Sequence, residues 1–438
     1  MKGRGALMLN EEKDLISRRD FVQLVSLAGV VFPLTDKLSS GTGLELDNAA
    51  HGTDGFLKDR DFWKRIQSYF KPSRKFINLE NGYCSPQALP TMNYHICREE
   101  YINSMTSMYT RQEMPEAMEI VRTKLADFLS VSPEELAFTR NTTESMNIVI
   151  MGYPWEEGDE VVIGNQDYGS MVQAYQQAQR RYGIVIREAE VPLHPDSDEE
   201  IVDSYMSLCT SKTKIVHLTH LIHLSGQVIP VAKIARAAHD RGIEVVVDAA
   251  HSIAHINSTI PELEADYVGA SLHKWLCCPL GSGFLWMKKE LIPEIWPLMG
   301  DTGVADTDIR RFEHQGTRPY HSIEAISKAI DFHDMIGGAR KEERLKYLMK
   351  RWVYKIVNIP KVKINTPWND DGRNSAIANF SIDGLSPSLI CERLLKKYKI
   401  FTVAIVHPAI NGVRVTPHLY TTEQDVDILA RAIRELAV

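Results

Sequence analysis

Glu244-Val245-Val246-Val247-Asp248-Ala249-Ala250-His251 is followed, one short β-rich run later, by Ser271-Leu272-His273-Lys274. Three consecutive valines suit a strand buried on both faces, as in the centre of a parallel sheet. An acid at the carboxyl end of such a strand falls in the crevice where open α/β sheets hold their ligands. Lys274 lies 26 positions beyond Asp248, after the next strand, and is followed by the turn-forming Pro279-Leu280-Gly281-Ser282-Gly283.

Outward from this core the pattern repeats. Leu136–Thr139, Glu160–Ile163, Ile184–Glu188, Ile215–Leu218, Tyr267–Ala270 and Gly283–Met287 read as strands. Met171–Tyr182 and Val231–Arg241 between them read as helices. Strands alternating with helices predict an α/β fold with a mainly parallel sheet covered on both faces. After Gly316 the texture changes. Ser322–Ile336 and Arg340–Val357 read as helices divided by Gly337-Gly338. Strands near Ile377–Ile382 and Gly412–Thr416 and helices at 386–398 and 422–437 complete a smaller α+β domain. The expected organisation is a large domain over 76–320 and a small C-terminal domain over 321–438, preceded by a linker and N-terminal helix over 41–75.

The chain has 438 residues, 44% hydrophobic and 24% charged, with a net charge of −7. That composition excludes a disordered or collagenous chain. A mildly acidic total gives no electrostatic reason to expect nucleic acid. No apolar run is long enough for a transmembrane span. Residues 17–21, Ser-Arg-Arg-Asp-Phe, precede a short apolar stretch and resemble a twin-arginine export signal within 1–40. Such a signal implies a periplasmic or exported protein; a cytosolic amphipathic helix is the other reading. The six cysteines form no C-x-x-C pair, and Cys277 and Cys278 read as buried thiols. No metal is expected, although His220 and His223 share a loop.

A Schiff-base lysine and an acid for a pyridinium nitrogen are the core needs of a pyridoxal phosphate enzyme. Five motifs stand in the family order: Asn141-Thr142-Thr143-Glu144, Asp248-Ala249-Ala250-His251, His273-Lys274, Gly316-Thr317 and Val413-Arg414-Val415-Thr416-Pro417-His418. Over residues 76–435 the chain resembles the class V aminotransferase family of fold-type I pyridoxal phosphate enzymes, and within it the isopenicillin N epimerase-like members.

The resemblance implies roles that the residue types can fill. Lys274 is the expected aldimine nucleophile and Cα base, which needs a lysine tuned toward neutral pH. Asp248 is expected at the ring nitrogen, with a helix cap or ion pair as its plainer reading. His251 is expected near ring and lysine, or else as a satisfied core histidine. Thr142 and Thr143, at a helix N-terminus, suit a phosphate or simple capping. Ser271 and His273 add further phosphate contacts. Tyr168 is expected against the ring, or as a core aromatic, and His223 and Ser225 on the neighbouring loop. The family often has asparagine where His223 stands. Gly316 and Thr317 are expected to reach the phosphate of a neighbouring subunit, implying a homodimer. Arg414 is expected to grip the substrate carboxylate through its planar fork, with Asn81 and Gly82 lining the entrance.

These motifs imply an amino acid substrate and loss of its Cα proton, in a reaction of aminotransferase or epimerase type. A β-lyase on a cysteine-like substrate and a non-catalytic ligand binder are the alternatives. The stretch Ile400 to Gly412 holds no cysteine, and the nearest is Cys391. A persulfide route of the desulfurase kind is therefore not expected.

Overall fold

The computed structural model describes residues 59–300 and 303–438. The twin-arginine-like stretch and the linker up to residue 55 lie outside the described residues.

The strands in chain order are β1 (Ile77–Asn78), β2 (Leu136–Thr139), β3 (Glu160–Gly164), β4 (Val185–Ala189), β5 (Thr213–Thr219), β6 (Glu244–Asp248) and β7 (Tyr267–Ser271). They continue with β8 (Gly283–Met287), β9 (Val362–Ile364), β10 (Ala378–Ile382), β11 (Ile400–Phe401), β12 (Val403–His407) and β13 (Ile410–Val415). Seven of them form one sheet in the order β2-β8-β7-β6-β5-β3-β4. Only β8 runs antiparallel to its neighbours, so the sheet is mainly parallel as expected.

The alternation of side chains explains why β6 is apolar throughout. Val245 and Val247 enter one core with Val216, Leu218 and Val268. Val246 enters the opposite core with Val161, Ile163 and Ile215. Each face is closed by helices, and every β6 side chain from Val245 to Asp248 is buried. The register pairs Thr219 with Asp248 and Asp248 with Gly269, so the carboxyl ends of β5, β6 and β7 align along one edge.

A second, antiparallel sheet has the order β12-β13-β10-β9. Helices Gly338–Ile356 and Glu423–Leu436 cover it, burying Trp352, Phe380, Val413, Val415 and Leu429 together. Thr422 and Asp425 form a reciprocal capping box at the start of the last helix, which satisfies donors that would otherwise be unpaired. The segment around residues 77–82 packs against this sheet: β1 pairs in parallel with β11 in a separate two-stranded sheet, Leu79 enters the same core, and Thr416 N donates to Leu79 O at 2.8 Å. No helix among the described residues is long and apolar enough to cross a membrane.

Candidate active site

A cavity of about 170 Å³ opens at the carboxyl edge of the large sheet, between that edge and Arg414 of β13. It gathers Thr142, Thr143, Tyr168, His223, Asp248, His251, Ser271, His273, Lys274, Gly82 and Arg414. Eleven side chains or backbones expected from sequence thus converge from segments spread over more than three hundred residues.

Asp248 ends β6 and is 2% exposed. Its Oδ1 accepts from Ala250 N at 2.9 Å. Burial raises its carboxyl above the usual range, and the nearby Lys274 opposes that rise. Lys274 follows β7 and aims its Nζ at His251 Nε2, 3.2 Å away. Burial pushes the Lys274 amine down to about 8, with Asp248 acting in the opposite direction. His251 is buried and held well below its ordinary value, first by burial and then by the positive charges of Lys274 and Arg414.

The helix Thr142–Gly152 points its N-terminus into the same space. Asn141 caps it, accepting from Glu144 N at 3.0 Å. Ser271 Oγ meets Thr142 N at 3.0 Å and Thr142 Oγ1 at 2.8 Å, joining the end of β7 to this helix. Gly283 permits the approach: a Cβ there would stand 2.8 Å from Asn141 N. First-turn N–H groups and hydroxyls in this arrangement suit an anion. His273 has a buried Nδ1 without a partner and is lowered to about 4 by burial.

Tyr168, 40% exposed, stands edge-on to His223 with ring centroids 5.2 Å apart. His223 lies nearly parallel to His251 at 6.3 Å, and its buried Nδ1 has no partner. Its carbonyl accepts from Arg414 Nη1 at 3.1 Å. Among the described residues no group of three or more His, Cys, Asp or Glu is placed to hold a metal ion.

Arg414 is also paired with a residue that sequence reading missed. Its Nη2 lies 2.6 Å from Glu80 Oε1, with both side chains under 10% exposed. Arg414 Nε and Glu80 Oε2 are buried without partners. Gly82 lets the guanidinium lie close, since a Cβ there would fall 2.6 Å from Arg414 Nη2 and displace it.

Four expected residues lie elsewhere in this chain. Asn81 is occupied structurally: its N donates to Thr416 Oγ1, its Nδ2 to Thr416 O, and its Oδ1 accepts from Tyr420. Ser225 is fully buried, with its carbonyl accepting from Thr366 Oγ1. Gly316 lines a separate cleft of about 460 Å³ with Arg122, Arg310 and Arg318. Thr317 borders another surface depression with Arg111 and His321. Conversely, Tyr83 and Thr219 line the central cavity unannounced. Thr219 follows from the register beside Asp248, which the strand reading could have supplied.

A family model described as Aminotransferase class-V matches residues 86–429. This chain belongs to the class-V aminotransferase family. It is 27% identical over 394 residues to an isopenicillin N epimerase of Amycolatopsis lactamdurans, covering 86% of this chain and 98% of that protein. It is 26% identical over 346 residues to a probable cysteine desulfurase of Synechocystis, covering 73% of this chain and 80% of that protein. The apo structure of a cysteine desulfurase from Thermococcus onnurineus matches with a TM-score of 0.75 at 23% identity, covering 85% of this chain and 98% of that one. The class-V fold is therefore a fold-type I α/β architecture. Its cofactor is pyridoxal 5'-phosphate. The unpartnered His223 and His273 nitrogens, the helix N-terminus at Thr142 and the buried acid Asp248 form a donor and acceptor set that fits this group.

Proposed function

We propose that this protein is a pyridoxal phosphate-dependent enzyme acting at Cα of an amino acid or a close analogue, of aminotransferase or epimerase type. The observation carrying this reading is the convergence of Lys274, Asp248 and Arg414 on one cavity from three different strands and loops. A module that only bound the cofactor would have no need of a buried amine tuned toward neutrality beside a carboxylate-binding arginine.

Thr142, Thr143, Ser271 and His273 are the residues to hold the phosphate, and Asp248 is the residue to keep the pyridine nitrogen protonated. When bound, the cofactor supplies an electron sink for the pair released at Cα. Lys274 is the attachment amine and, when free, the base that takes the Cα proton. An amine at about 8 leaves roughly a tenth in the free form at pH 7, enough for general base work. Arg414 orients the substrate carboxylate, and Glu80 must yield or share its place when that carboxylate arrives.

The same steps serve a β-lyase, because the fate of the carbanion is decided after the proton leaves. The persulfide route has less support here. Cys391 accepts from Thr402 Oγ1 beside the small-sheet core, and β12 and β13 carry no cysteine. Gly316 and Thr317 lie outside the cavity of their own chain, which supports a homodimer in which they serve the neighbouring site. Export through the twin-arginine route remains part of the proposal for residues 1–40.

The test is a single-turnover absorbance scan of holoenzyme against a panel of amino acids without keto acid. Persistent loss of the cofactor's visible band, restored by a keto acid, gives transamination. A transient change returning to the start gives epimerase or lyase chemistry, separated by chiral and carbonyl product analysis. No change with any amino acid overturns the proposal.

A further inference from the structure

The indole N–H of Trp275 lies 3.2 Å from His251 Nδ1. An indole nitrogen can only donate, so Nδ1 of His251 must accept. A neutral imidazole then carries its proton on Nε2, the nitrogen facing Lys274 Nζ at 3.2 Å. An imidazolium is disfavoured, because His251 is buried beside Lys274 and Arg414. An ammonium at Lys274 would meet this Nε2–H donor to donor, whereas a free amine accepts from it. Turning the tautomer over moves the clash to the indole without removing it.

From this geometry we infer that Trp275 is a positioning residue that fixes the proton of His251 on Nε2 and so shifts Lys274 toward its free amine. The indole has little freedom to turn away. Trp275 is fully buried, with His255 3.7 Å from its centroid and His418 stacked at 5.2 Å. Its carbonyl accepts from Lys341. His255 is itself locked: its Nε2 accepts from Ala376 N at 3.0 Å, which leaves Nδ1–H to donate to the His251 carbonyl at 3.0 Å.

Other charges act on the pair. Asp248, Glu80 and Cys84 favour a charged Lys274, and Arg414 opposes it. His251 also faces His223 and His255, and His273 adjoins Lys274 in the chain. The polar effect of Trp275 adds to burial and to Arg414. The importance of a free Lys274 amine rests on the function proposed above; the tautomer of His251 does not.

The test replaces Trp275 by 3-benzothienylalanine, which keeps the ring system and lacks the N–H, with Trp275→Phe as the encoded counterpart. The full chain is prepared free of cofactor. The rate of pyridoxal phosphate capture is followed against pH, and borohydride reduction with peptide mass mapping identifies the lysine that captures it. Histidine 15N shifts, assigned with His251→Asn, report the tautomer directly. The expected wild-type state has pyridine-type Nδ1 and pyrrole-type Nε2 on His251. The expected capture midpoint rises by about one pH unit in the benzothienyl protein, and a population protonated on Nδ1 emerges. A wild-type His251 protonated on Nδ1, or a midpoint unmoved by loss of the N–H, overturns the inference. Capture at a lysine other than Lys274 overturns the functional reading instead, whatever the tautomer.

Discussion

Glu80 Oε1 lies 2.6 Å from Nη2 of Arg414, a cavity-lining residue, and the expected carboxylate-binding arginine is thereby already paired with a buried carboxylate of its own chain. A substrate carboxylate must compete with Glu80 or use the unpartnered Nε of Arg414. Replacing Glu80 by Gln weakens that competition while keeping an oxygen toward the guanidinium. The expected result is a KM lowered by about 3- to 10-fold, with stability reduced by about 1–3 kcal/mol because the buried guanidinium keeps a hydrogen bond but loses its counter-charge. Steady-state kinetics and thermal unfolding measure both. A raised KM would show that Glu80 serves the substrate site instead of competing with it.

Arg414→Lys keeps the charge and loses the fork. Truncating one side of a buried charged pair commonly removes about 2–5 kcal/mol of binding, so kcat/KM is expected to fall by about 100-fold, mostly through KM. Gly82→Ala reaches the same residue from the other side, because its new Cβ would collide with the guanidinium. It is expected to raise KM while leaving cofactor binding intact, as read from the visible band.

Asp248→Asn tests the buried acid. An amide oxygen can still accept from Ala250 N, so folding is expected to survive. In the proposed role of Asp248 the substitution removes the counter-ion of the pyridine nitrogen, and turnover is expected to fall by about 100-fold or more. Retention of wild-type turnover would reassign Asp248 to a structural role.

Lys341 offers a pH test away from substrate. It is 2% exposed, and burial pushes it down to about 8 from an unfolded value near 10.5. The folded chain therefore binds fewer protons than the unfolded chain between those values. Stability from this group is penalised below about pH 8 and recovers as pH rises toward 10.5. Lys341→Met is expected to stabilise the protein by about 1–3 kcal/mol at pH 7, with the gain shrinking above pH 9. Chemical denaturation of both proteins across that range checks the sign. A destabilised variant at pH 7 would mean that the bond from Lys341 to the Trp275 carbonyl outweighs the burial of its charge.

Asp248 and Lys274 were legible because strand periodicity places them at one sheet edge and their residue types are scarce there. Strands β2, β3 and β5 to β8 were readable because each is largely buried and bounded by turns, and β4, buried only at Ala189, was readable from its place between two helical stretches. Strand β12 was not, since Val403–His407 is only partly buried and alternates weakly. The helix Leu89–Met105 went unread because only Thr91 on it is fully buried, so it carries no clear apolar face. Glu80 and Trp275 were missed for another reason. Their meaning lies in pairings with Arg414 and His251, one of them across more than three hundred residues, that no local pattern encodes. Asn81 sat in the right segment, but its hydrogen bonds tie it to Thr416 and Tyr420 instead of the cavity.

The central claim is removal of a Cα proton by Lys274. Holoenzyme incubated with a panel of amino acids in D2O, followed by proton NMR, tests it most directly. At least one amino acid is expected to lose its Cα–H signal with wild type and to keep it with Lys274→Ala. Retention of every Cα–H signal by wild type, in samples whose visible band confirms bound cofactor, would contradict it.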